Sequence, residues 1–515
     1  MPVITLGRYD GIFDYPYQVP LDRFRSGLIV GIPGTGKSVL EERIAEDAVA
    51  AGCGVLFADP HGESVESLAR RTRHPEKLDY IAPGLIGDRC YGLNFLADAV
   101  GDPDRASATT LDLFSRLGEA SQETRIVNYI LGLLARTVLA HDVPSLLAMR
   151  WLLADEKFRK RLLDDEELDE LDADFWRRFN KRSAYNKSQW LDSTDRRLGD
   201  LLASRPIAGS LASPGMTLPL ADLLDRGRLV AVNLRDGLQP ETGILFGNTI
   251  MAIVTRAALS RPPGNRPRDW VIICDEAQRL APDSLAQLFV EGRKNRCTPV
   301  LATQTLKSLE RASEPLASAA GTAGVRVTLT ISGADRVVYA AEGGVDRAEQ
   351  VRDLAAWHAV VERPRGFEDK PERTAITLEE WWPAPDQDQL DRALEASMAY
   401  TVPLPSRKEL FARPKKARGT TGGNDDTNRQ LEYDEGAEAE AGASTAPGED
   451  APDDQLLELP EMAGPDDPDA GADARRDPPL PFSERQRRGS TLLSRRHPGA
   501  GRGGEAGRGG DQSGE

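Results

Sequence analysis

The octapeptide from Gly31 to Ser38 constrains this chain more than any other stretch of its sequence. It reads Gly-Ile-Pro-Gly-Thr-Gly-Lys-Ser and matches the phosphate-loop pattern G-x-x-x-x-G-K-[ST] at every position. An apolar run at 28–30 precedes it, and apolar residues at helical spacing follow over 39–50. A strand, a glycine-rich turn and a helix are the context that such a loop requires. The pattern therefore predicts that the chain binds a nucleoside triphosphate.

The residue types of the loop each predict a different contact with the nucleotide. Glycines allow the backbone to form a concave nest of N–H groups around the β-phosphate, and the helix N-terminus adds its positive dipole end. Lys37 is expected to contact the β- and γ-phosphates, and the Ser38 hydroxyl to help hold Mg²⁺. The residues predicted to bind the nucleotide are Gly31, Pro33, Gly34, Thr35, Gly36, Lys37, Ser38 and Val39.

A second apolar strand, at 271–274, ends in the paired acids Asp275 and Glu276. In phosphate-loop enzymes the first acid holds Mg²⁺ through its water shell, so Asp275 is the predicted metal partner of Ser38. The second acid, Glu276, is placed to polarise the water that attacks the γ-phosphate. Together with Lys37, this pair predicts an ATPase with its own general base.

Two further residues are candidates for the reaction. Gln304 follows the apolar run 300–303, and its amide could contact both the γ-phosphate and the attacking water. Arg293 lies one helix after the acids and could neutralise the γ-phosphate of a neighbouring subunit, with Arg296 as the competing candidate. The alternatives are an ordinary polar residue at a strand end for Gln304 and a solvated helix end for Arg293.

Strand and helix patterns alternate in the parts of the chain that carry the nucleotide motifs. Apolar runs at 54–58, 80–82, 229–234, 270–274 and 299–303 predict strands, 325–331 predicts a final strand, and 351–357 predicts a short helix. This alternation indicates an α/β fold with a mostly parallel sheet covered on both faces. Ligands of such sheets bind beyond the carboxyl ends of the strands, which is where Asp59, Asp275, Glu276 and Gln304 fall.

The chain divides into four predicted segments. Long helical stripes between the two nucleotide motifs, such as the one at 126–138, predict an inserted all-helical domain at 104–225. The first and second parts of the ATPase domain then occupy 1–103 and 226–412. Residues 425–469 contain sixteen Asp or Glu against one Arg, so 413–515 is predicted to be a disordered, low-complexity tail.

Composition excludes several protein classes. The net charge of −17 comes largely from the acidic tail, so it does not argue against a polyanionic partner. The four cysteines are scattered, which favours a reducing compartment and argues against a zinc site. The first residues lack the features of a signal peptide, and no window is a membrane span. We therefore expect a cytoplasmic protein without an integral membrane segment.

Several motifs together resemble the HerA–FtsK superfamily of DNA-pumping ATPases. They are the phosphate loop, the turn Asp59-Pro-His-Gly-Glu63, the box Asp275-Glu-Ala-Gln278 and the segment 291–304. Within that superfamily, residues 20–410 most resemble the conjugative coupling proteins of type IV secretion, whose ATPase domain carries an all-helical insertion. The resemblance implies a RecA-like fold, ATP and Mg²⁺ as cofactors, a homo-hexameric ring around DNA, and Arg293 acting in trans as an arginine finger. Coupling proteins usually begin with transmembrane helices, which this sequence lacks.

The sequence therefore predicts an ATP-driven DNA translocase or a conjugative DNA-transfer coupling ATPase. The resemblance also implies a relaxase, a nuclease or a secretion-channel protein as a possible partner. Two alternatives remain open at this point: a motor of the same fold that acts on protein in secretion or assembly, and an ATP-gated scaffold without catalysis.

One segment, 175–190, mixes aromatic and basic residues in the way that single-strand-binding surfaces do. Helical spacing places Phe175, Trp176 and Phe179 on one face and the basic residues on another. The aromatic residues are therefore predicted to belong to the core. The basic face either contacts phosphates or is solvated.

Overall fold

The computed structural model describes residues 3–10, 15–115, 122–163, 168–181, 184–213, 215–261, 268–343, 345–351, 354–363, 372–379 and 382–410. The predicted tail at 413–515 lies outside these residues. The strands are β1 (Val3–Tyr9), β2 (Pro16–Pro20), β3 (Gly27–Val30), β4 (Gly54–Asp59), β5 (Leu78–Ile81), β6 (Arg89–Tyr91), β7 (Leu229–Asn233), β8 (Trp270–Cys274), β9 (Cys297–Thr303), β10 (Val325–Thr328), β11 (His358–Arg363), β12 (Glu372–Thr377) and β13 (Thr401–Pro403).

The α-helices fall into three groups along the chain. Those of the first part are α1 (Leu21–Phe24), α2 (Lys37–Ala50), α3 (Glu63–Arg71) and α4 (Phe95–Asp98). Those of the middle part are α5 (Pro103–Ser115), α6 (Gln122–Ala140), α7 (Leu146–Ala154), α8 (Glu156–Leu163), α9 (Glu170–Lys181), α10 (Ala184–Ala203), α11 (Arg205–Leu211) and α12 (Leu220–Asp225). Those of the last part are α13 (Pro240–Leu259), α14 (Ala277–Leu280), α15 (Leu285–Asn295), α16 (Leu306–Ala312), α17 (Glu314–Gly321), α18 (Gly333–Gly343), α19 (Val345–Gln350), α20 (Gln387–Ser397) and α21 (Arg407–Leu410).

A mixed sheet of 11 strands organises the fold, in the order β2-β1-β12-β11-β10-β3-β9-β8-β4-β7-β5. The strands from β10 to β5 in this order run parallel to one another, which confirms the predicted mostly parallel sheet. At the other end, β11, β12, β1 and β2 extend the sheet through antiparallel pairs. β6 and β13 form a separate two-stranded pair.

The parallel strands are buried on both faces, as helices cover each side. In β3, Leu28 and Val30 belong to one hydrophobic cluster, while Ile29 between them belongs to the other. Side chains alternate between the faces of a strand, so a continuous apolar run is what a doubly covered strand requires. The four cysteines are free and buried, in agreement with their scattered spacing.

Between residues 103 and 225, every described element is a helix, from α5 to α12. The division into an inserted domain at 104–225 stays a prediction. These helices share one hydrophobic cluster with a face of the large sheet. In the described part of the chain, α13 is the one helix that is long and apolar enough to cross a membrane, by length and composition only. It packs within the same cluster, and Arg256 near its end forms an ion pair with Asp112 of α5.

Two sequence predictions about the end of the sheet are wrong. The run 325–331 does not supply the final strand, because β11 and β12 follow it. β11 pairs with β10 and β12 pairs with β11, both in antiparallel fashion. The predicted helix at 351–357 is absent from its described residues, which turn towards the start of β11. Trp357 lies in the left-handed region at φ 70°, a conformation that a helix cannot contain.

Candidate active site

The phosphate loop lies between β3 and α2, and the first turn of α2 is open to a ligand. Gly34 and Gly36 have φ values of 78° and 108°, which bulkier residues rarely adopt. Gly36 also caps α2, and as a glycine it has no side chain that could bond to the free N–H groups of that helix end. A helix N-terminus of this kind, preceded by a glycine-rich turn, is an anion-binding site.

Most predicted nucleotide-binding residues line this turn. Pro33, Gly34 and Ser38 are exposed, Val39 is partly exposed, and Gly31 and Thr35 are buried beneath them. A Cβ atom on Gly31 would lie 2.9 Å from the Leu329 Cβ, so the loop leaves no space for a side chain there. Thr35 stabilises the turn through a hydrogen bond within the loop, since its Oγ1 donates to the Ile32 carbonyl at 2.8 Å.

Lys37 is held inside the loop by the backbone. Its Nζ donates to the Gly31 carbonyl at 2.8 Å and to the Ile32 carbonyl at 3.5 Å. The ammonium group is also close enough to Asp275 to oppose the rise of the pKa of that carboxyl. The lysine therefore already lies between the loop and the acids.

The paired acids follow β8, whose residues are all buried. Burial, reinforced by the charges of Asp59 and Glu276, raises the pKa of Asp275 to about 7. The bond from the Glu276 N–H to Asp275 Oδ1, at 2.8 Å, and the Lys37 charge act in the opposite direction. β9 lies between β3 and β8, so the loop and the acids are two strand spacings apart, roughly 10 Å.

Two amides hold the Glu276 carboxylate. Its Oε1 accepts from Gln304 Nε2 at 2.7 Å, and its Oε2 accepts from Gln278 Nε2 at 2.5 Å. Gln278 is held in turn by Thr303, whose Oγ1 donates to Gln278 Oε1 at 2.9 Å. Glu276 also has a left-handed backbone, with φ at 48°, and such strain in a residue other than glycine often occurs at functional sites. Gln278 belongs to the sequence motif 275–278, from which no role for it was predicted.

Two more carboxyls lie near the site, and their surroundings were not predicted. Asp59, at the end of β4, accepts from the N–H groups of His61 and Ser64 at 2.7 and 2.8 Å, and so holds the turn before α3. Glu41 of α2 is fully buried, and neither of its oxygens has a hydrogen-bond partner among the described residues. Burial and the charges of Asp275 and Asp59 raise the pKa of Glu41 well above its usual value.

The donor set around the loop fits a phosphate-bound Mg²⁺ and does not fit a metal held by protein alone. In the described part of the chain, no three His, Cys, Asp or Glu residues come together as a metal site. Mg²⁺ in phosphate-loop sites takes most of its ligands from water and phosphates, so one hydroxyl and one carboxylate suffice. Ser38 and Asp275 supply those groups.

The two candidate arginines lie at the amino ends of the parallel strands, opposite the carboxyl ends that carry the acids. Helix α15 has 11 residues and spans roughly 16 Å from the edge that carries the acids. Arg293 lies near its far end; its side chain is outside the described part of the structure. Arg296 pairs through two bonds, at 2.7 and 3.0 Å, with Asp269, just before β8. Neither residue lies at the active site of its own chain.

The aromatic residues of α9 belong to the core, as predicted. Phe175, Trp176 and Phe179 are buried and pack on one another. The Trp176 indole donates to Thr137 Oγ1 at 3.0 Å. Arg177, Arg178 and Lys181 are exposed, on the face opposite the aromatic residues, as predicted. The side chains of 182–190 lie outside the described residues, and contact of the basic face with phosphates stays a prediction.

Comparison with known proteins shows which fold surrounds this site. No protein-family model matches the chain, and neither does any curated protein. Among solved structures, the bacterial conjugative coupling protein TrwBdeltaN70 in its unbound form matches over 72% of this chain and 90% of its own, with 17% identity and a TM-score of 0.55. The plasmid coupling protein TrwB in complex with ADP and Mg²⁺ matches over 72% and 89%, with 18% identity and a TM-score of 0.55.

This chain has the fold of the conjugative coupling proteins. VirB4 of Thermoanaerobacter pseudethanolicus shares the fold, over 75% of this chain and 98% of its own, at 11% identity and a TM-score of 0.50. The predicted RecA-like P-loop ATPase fold is thereby confirmed. In this coupling-protein fold, the phosphate loop, Asp275, Glu276 and Gln304 meet at the carboxyl edge of the parallel strands, as the sequence predicts.

The raised pKa of Asp275 predicts how the stability of the nucleotide-free protein depends on pH. Its folded-state pKa of about 7 exceeds the ordinary value of 3.8, so between these values the folded state binds more protons than the unfolded state. Stability from this group therefore falls as pH rises through that window. In thermal unfolding with EDTA, we expect the wild type to lose stability relative to Asp275→Asn as pH increases. A difference between the two proteins that stays constant with pH would contradict this account.

Proposed function

We propose that this protein is a Mg-ATP-dependent DNA translocase or DNA-transfer coupling ATPase that works as a ring. The observation that carries the proposal is the Glu276 carboxylate, held by two glutamine amides on the edge of a coupling-protein fold that also carries the phosphate loop. A carboxylate so oriented has the chemistry of a general base for water. Held by fixed donors, it needs little rearrangement before it accepts a proton.

In this proposal, the phosphate loop and the acids have different roles in the reaction. The backbone N–H groups of the loop and the Lys37 ammonium bind the β- and γ-phosphates, and Ser38 and Asp275 hold Mg²⁺. Bound Mg²⁺ neutralises charge on the phosphates. Glu276 accepts the proton of the attacking water, and Gln304 contacts that water and the γ-phosphate. ATP and Mg²⁺ as cofactors are supported by TrwB, which has been solved with ADP and Mg²⁺.

The proposal also includes assembly of the protein into a ring that holds DNA. Arg293 lies at the sheet edge remote from its own site, so a role for it in hydrolysis requires a neighbouring subunit. A homo-hexamer would supply that neighbour at each site and a central channel for the DNA backbone. The protein would act in the cytoplasm with a relaxase, a nuclease or a secretion-channel protein as partner.

A triplex-displacement assay tests the DNA part directly. A duplex carrying a bound third-strand oligonucleotide is mixed with the protein, and release of the oligonucleotide is followed with ATP or with a non-hydrolysable analogue. We expect release with ATP alone, together with ATP turnover that rises when long DNA is added. Lys37→Ala, which removes the ammonium from the phosphate site, is the control and should release nothing.

The alternatives predict other results in the same assay. Turnover that responds to a secretion or assembly protein but not to DNA would favour a protein-acting motor. ATP binding without turnover under any of these conditions would favour a non-catalytic scaffold. Either result would contradict the translocase.

A further inference from the structure

A tryptophan next to the phosphate loop has a backbone conformation that its side chain disfavours. Trp357 has φ at 70°, in the left-handed region that large aromatic residues rarely occupy. Its ring is partly exposed and packs against the hydrophobic cluster beneath α2. Strain of this kind persists only where surrounding contacts fix the residue, and it occurs preferentially at ligand sites.

Backbone bonds on both sides attach Trp357 to the nucleotide site. Its N–H donates to the Thr35 carbonyl within the phosphate loop, at 3.2 Å. Its own carbonyl accepts from the Leu378 N–H at 2.7 Å. A Cβ atom on Gly36 would lie 2.8 Å from Leu378 Cδ1 and 3.9 Å from the Trp357 Cα. The tryptophan and the leucine therefore lie directly against the loop.

The strand order indicates on which side of the loop the base of a nucleotide must lie. The acids that face the γ-phosphate follow β8, and Gln304 follows β9, both to one side of β3. Trp357 precedes β11 and Leu378 follows β12, both to the other side of β3 and at the same sheet edge. A nucleotide with its γ-phosphate towards Glu276 therefore extends its sugar and base towards Trp357.

A cleft of mixed polarity lies on that side and shares Leu378 with the surroundings of the tryptophan. Val39 and Leu40 of α2 line it together with Leu378, and its polar lining residues are Thr5, Arg43 and Glu379. Arg8 and Glu379 form an ion pair at its rim.

We propose that Trp357 is the platform on which the base of the bound nucleotide stacks, with Val39 and Leu378 as the apolar walls beside it. This inference rests on the proposed nucleotide site and adds to it the residue that binds the base. Every base presents a π-face, so stacking alone discriminates weakly between bases. Purine triphosphates should therefore bind with similar affinity, and pyrimidine triphosphates, with smaller rings, more weakly.

Calorimetric titration with Mg²⁺ present separates the base from the phosphates. The probes are a non-hydrolysable ATP analogue and inorganic tripolyphosphate, which has the phosphates but no base. For Trp357→Ala we expect at least about tenfold weaker binding of the analogue, the range of a lost base–aromatic stack, and unchanged binding of tripolyphosphate. Trp357→Phe keeps a ring and should bind the analogue within about threefold of the wild type.

Two further variants control for backbone strain at residue 357 and for the loss of a tryptophan elsewhere in the protein. Trp357→Gly tolerates the left-handed backbone, so it should lose the same base-dependent affinity as the alanine variant without added strain. Trp382, whose ring lies 5.8 Å from the Arg71 guanidinium, is a second partly exposed tryptophan, and Trp382→Ala should bind like the wild type.

The outcomes distinguish this inference from the nucleotide site itself. Equal loss of the analogue and of tripolyphosphate in the Trp357 variants would mean that the residue only shapes the loop, and would overturn the platform. A wild type that binds the analogue no more tightly than tripolyphosphate would also overturn it, while the phosphate site would stand. A wild type that binds neither probe would overturn the proposed function as well.

Discussion

Replacement of Glu276 by glutamine is expected to lower ATP turnover at least about 100-fold, because a positioned general base typically contributes a factor of about 10² to 10⁴. Glutamine keeps the size of the side chain but cannot accept the proton of the attacking water. Binding of a non-hydrolysable ATP analogue should persist, since the phosphates are held by the loop and Lys37. Steady-state phosphate release and calorimetric titration measure the two quantities separately.

The matched control is Glu310→Gln, in an exposed glutamate of α16, which should leave turnover unchanged. Gln278 offers a second control of a different kind, because it donates to Glu276 but cannot itself accept a proton at neutral pH. Gln278→Leu should reduce turnover less than Glu276→Gln does. Turnover in Glu276→Gln close to the wild-type rate would remove Glu276 from the reaction.

Replacement of Arg293 by alanine is expected to reduce turnover at least about 10³-fold, the lower end of what an arginine finger contributes. The helix geometry keeps Arg293 at the far edge from its own active site, so the loss would come from the neighbouring site. ATP binding should remain in the variant. Phosphate release and analogue titration again distinguish hydrolysis from binding.

Mixing two inactive proteins tests the action in trans. An Arg293→Ala subunit retains an intact site, and a Lys37→Ala subunit retains an intact arginine, so mixed rings should regain part of the turnover. Lys294→Ala, next in the chain and largely exposed, should behave as the wild type. Arg296→Ala breaks the pair with Asp269 and should lower stability more than turnover. Mixed rings without any turnover would contradict a finger supplied by a neighbour.

Local patterns in the sequence predict the site well where its parts depend on their immediate neighbours. The phosphate loop needs its own glycines and the strand and helix that flank it. Asp275 follows a short apolar run of the kind that a strand buried on both faces requires. Both features are fixed within about ten residues of sequence, and the structure has them as predicted.

The features that the sequence did not predict depend on contacts between distant segments. Helical spacing places Glu41 on the apolar face of α2, three and four residues before Ile44 and Ala45, so its burial follows from the helix itself. The carboxyls of Asp59 and Asp275 near it come from the ends of other strands, and that neighbourhood is not visible in the sequence. The pairing of β1 with β12 joins the first described strand to one more than 360 residues later, and neither strand signals its partner. Trp357 lies in a stretch whose apolar spacing fits a helix, and only its bonds to Thr35 and Leu378 explain its conformation.

The sheet pairs β1, from the start of the chain, with β12, from near the end of the described chain. This pairing has a consequence for biosynthesis. The phosphate loop leaves the ribosome early, but Leu378, which packs against Gly36, follows almost the whole of the described chain. Strand β1 likewise has no partner in β12 until then, and pairing across so large a sequence separation is slow. A nascent or truncated chain that ends before β12 would carry every nucleotide motif and still lack one wall of the pocket around them.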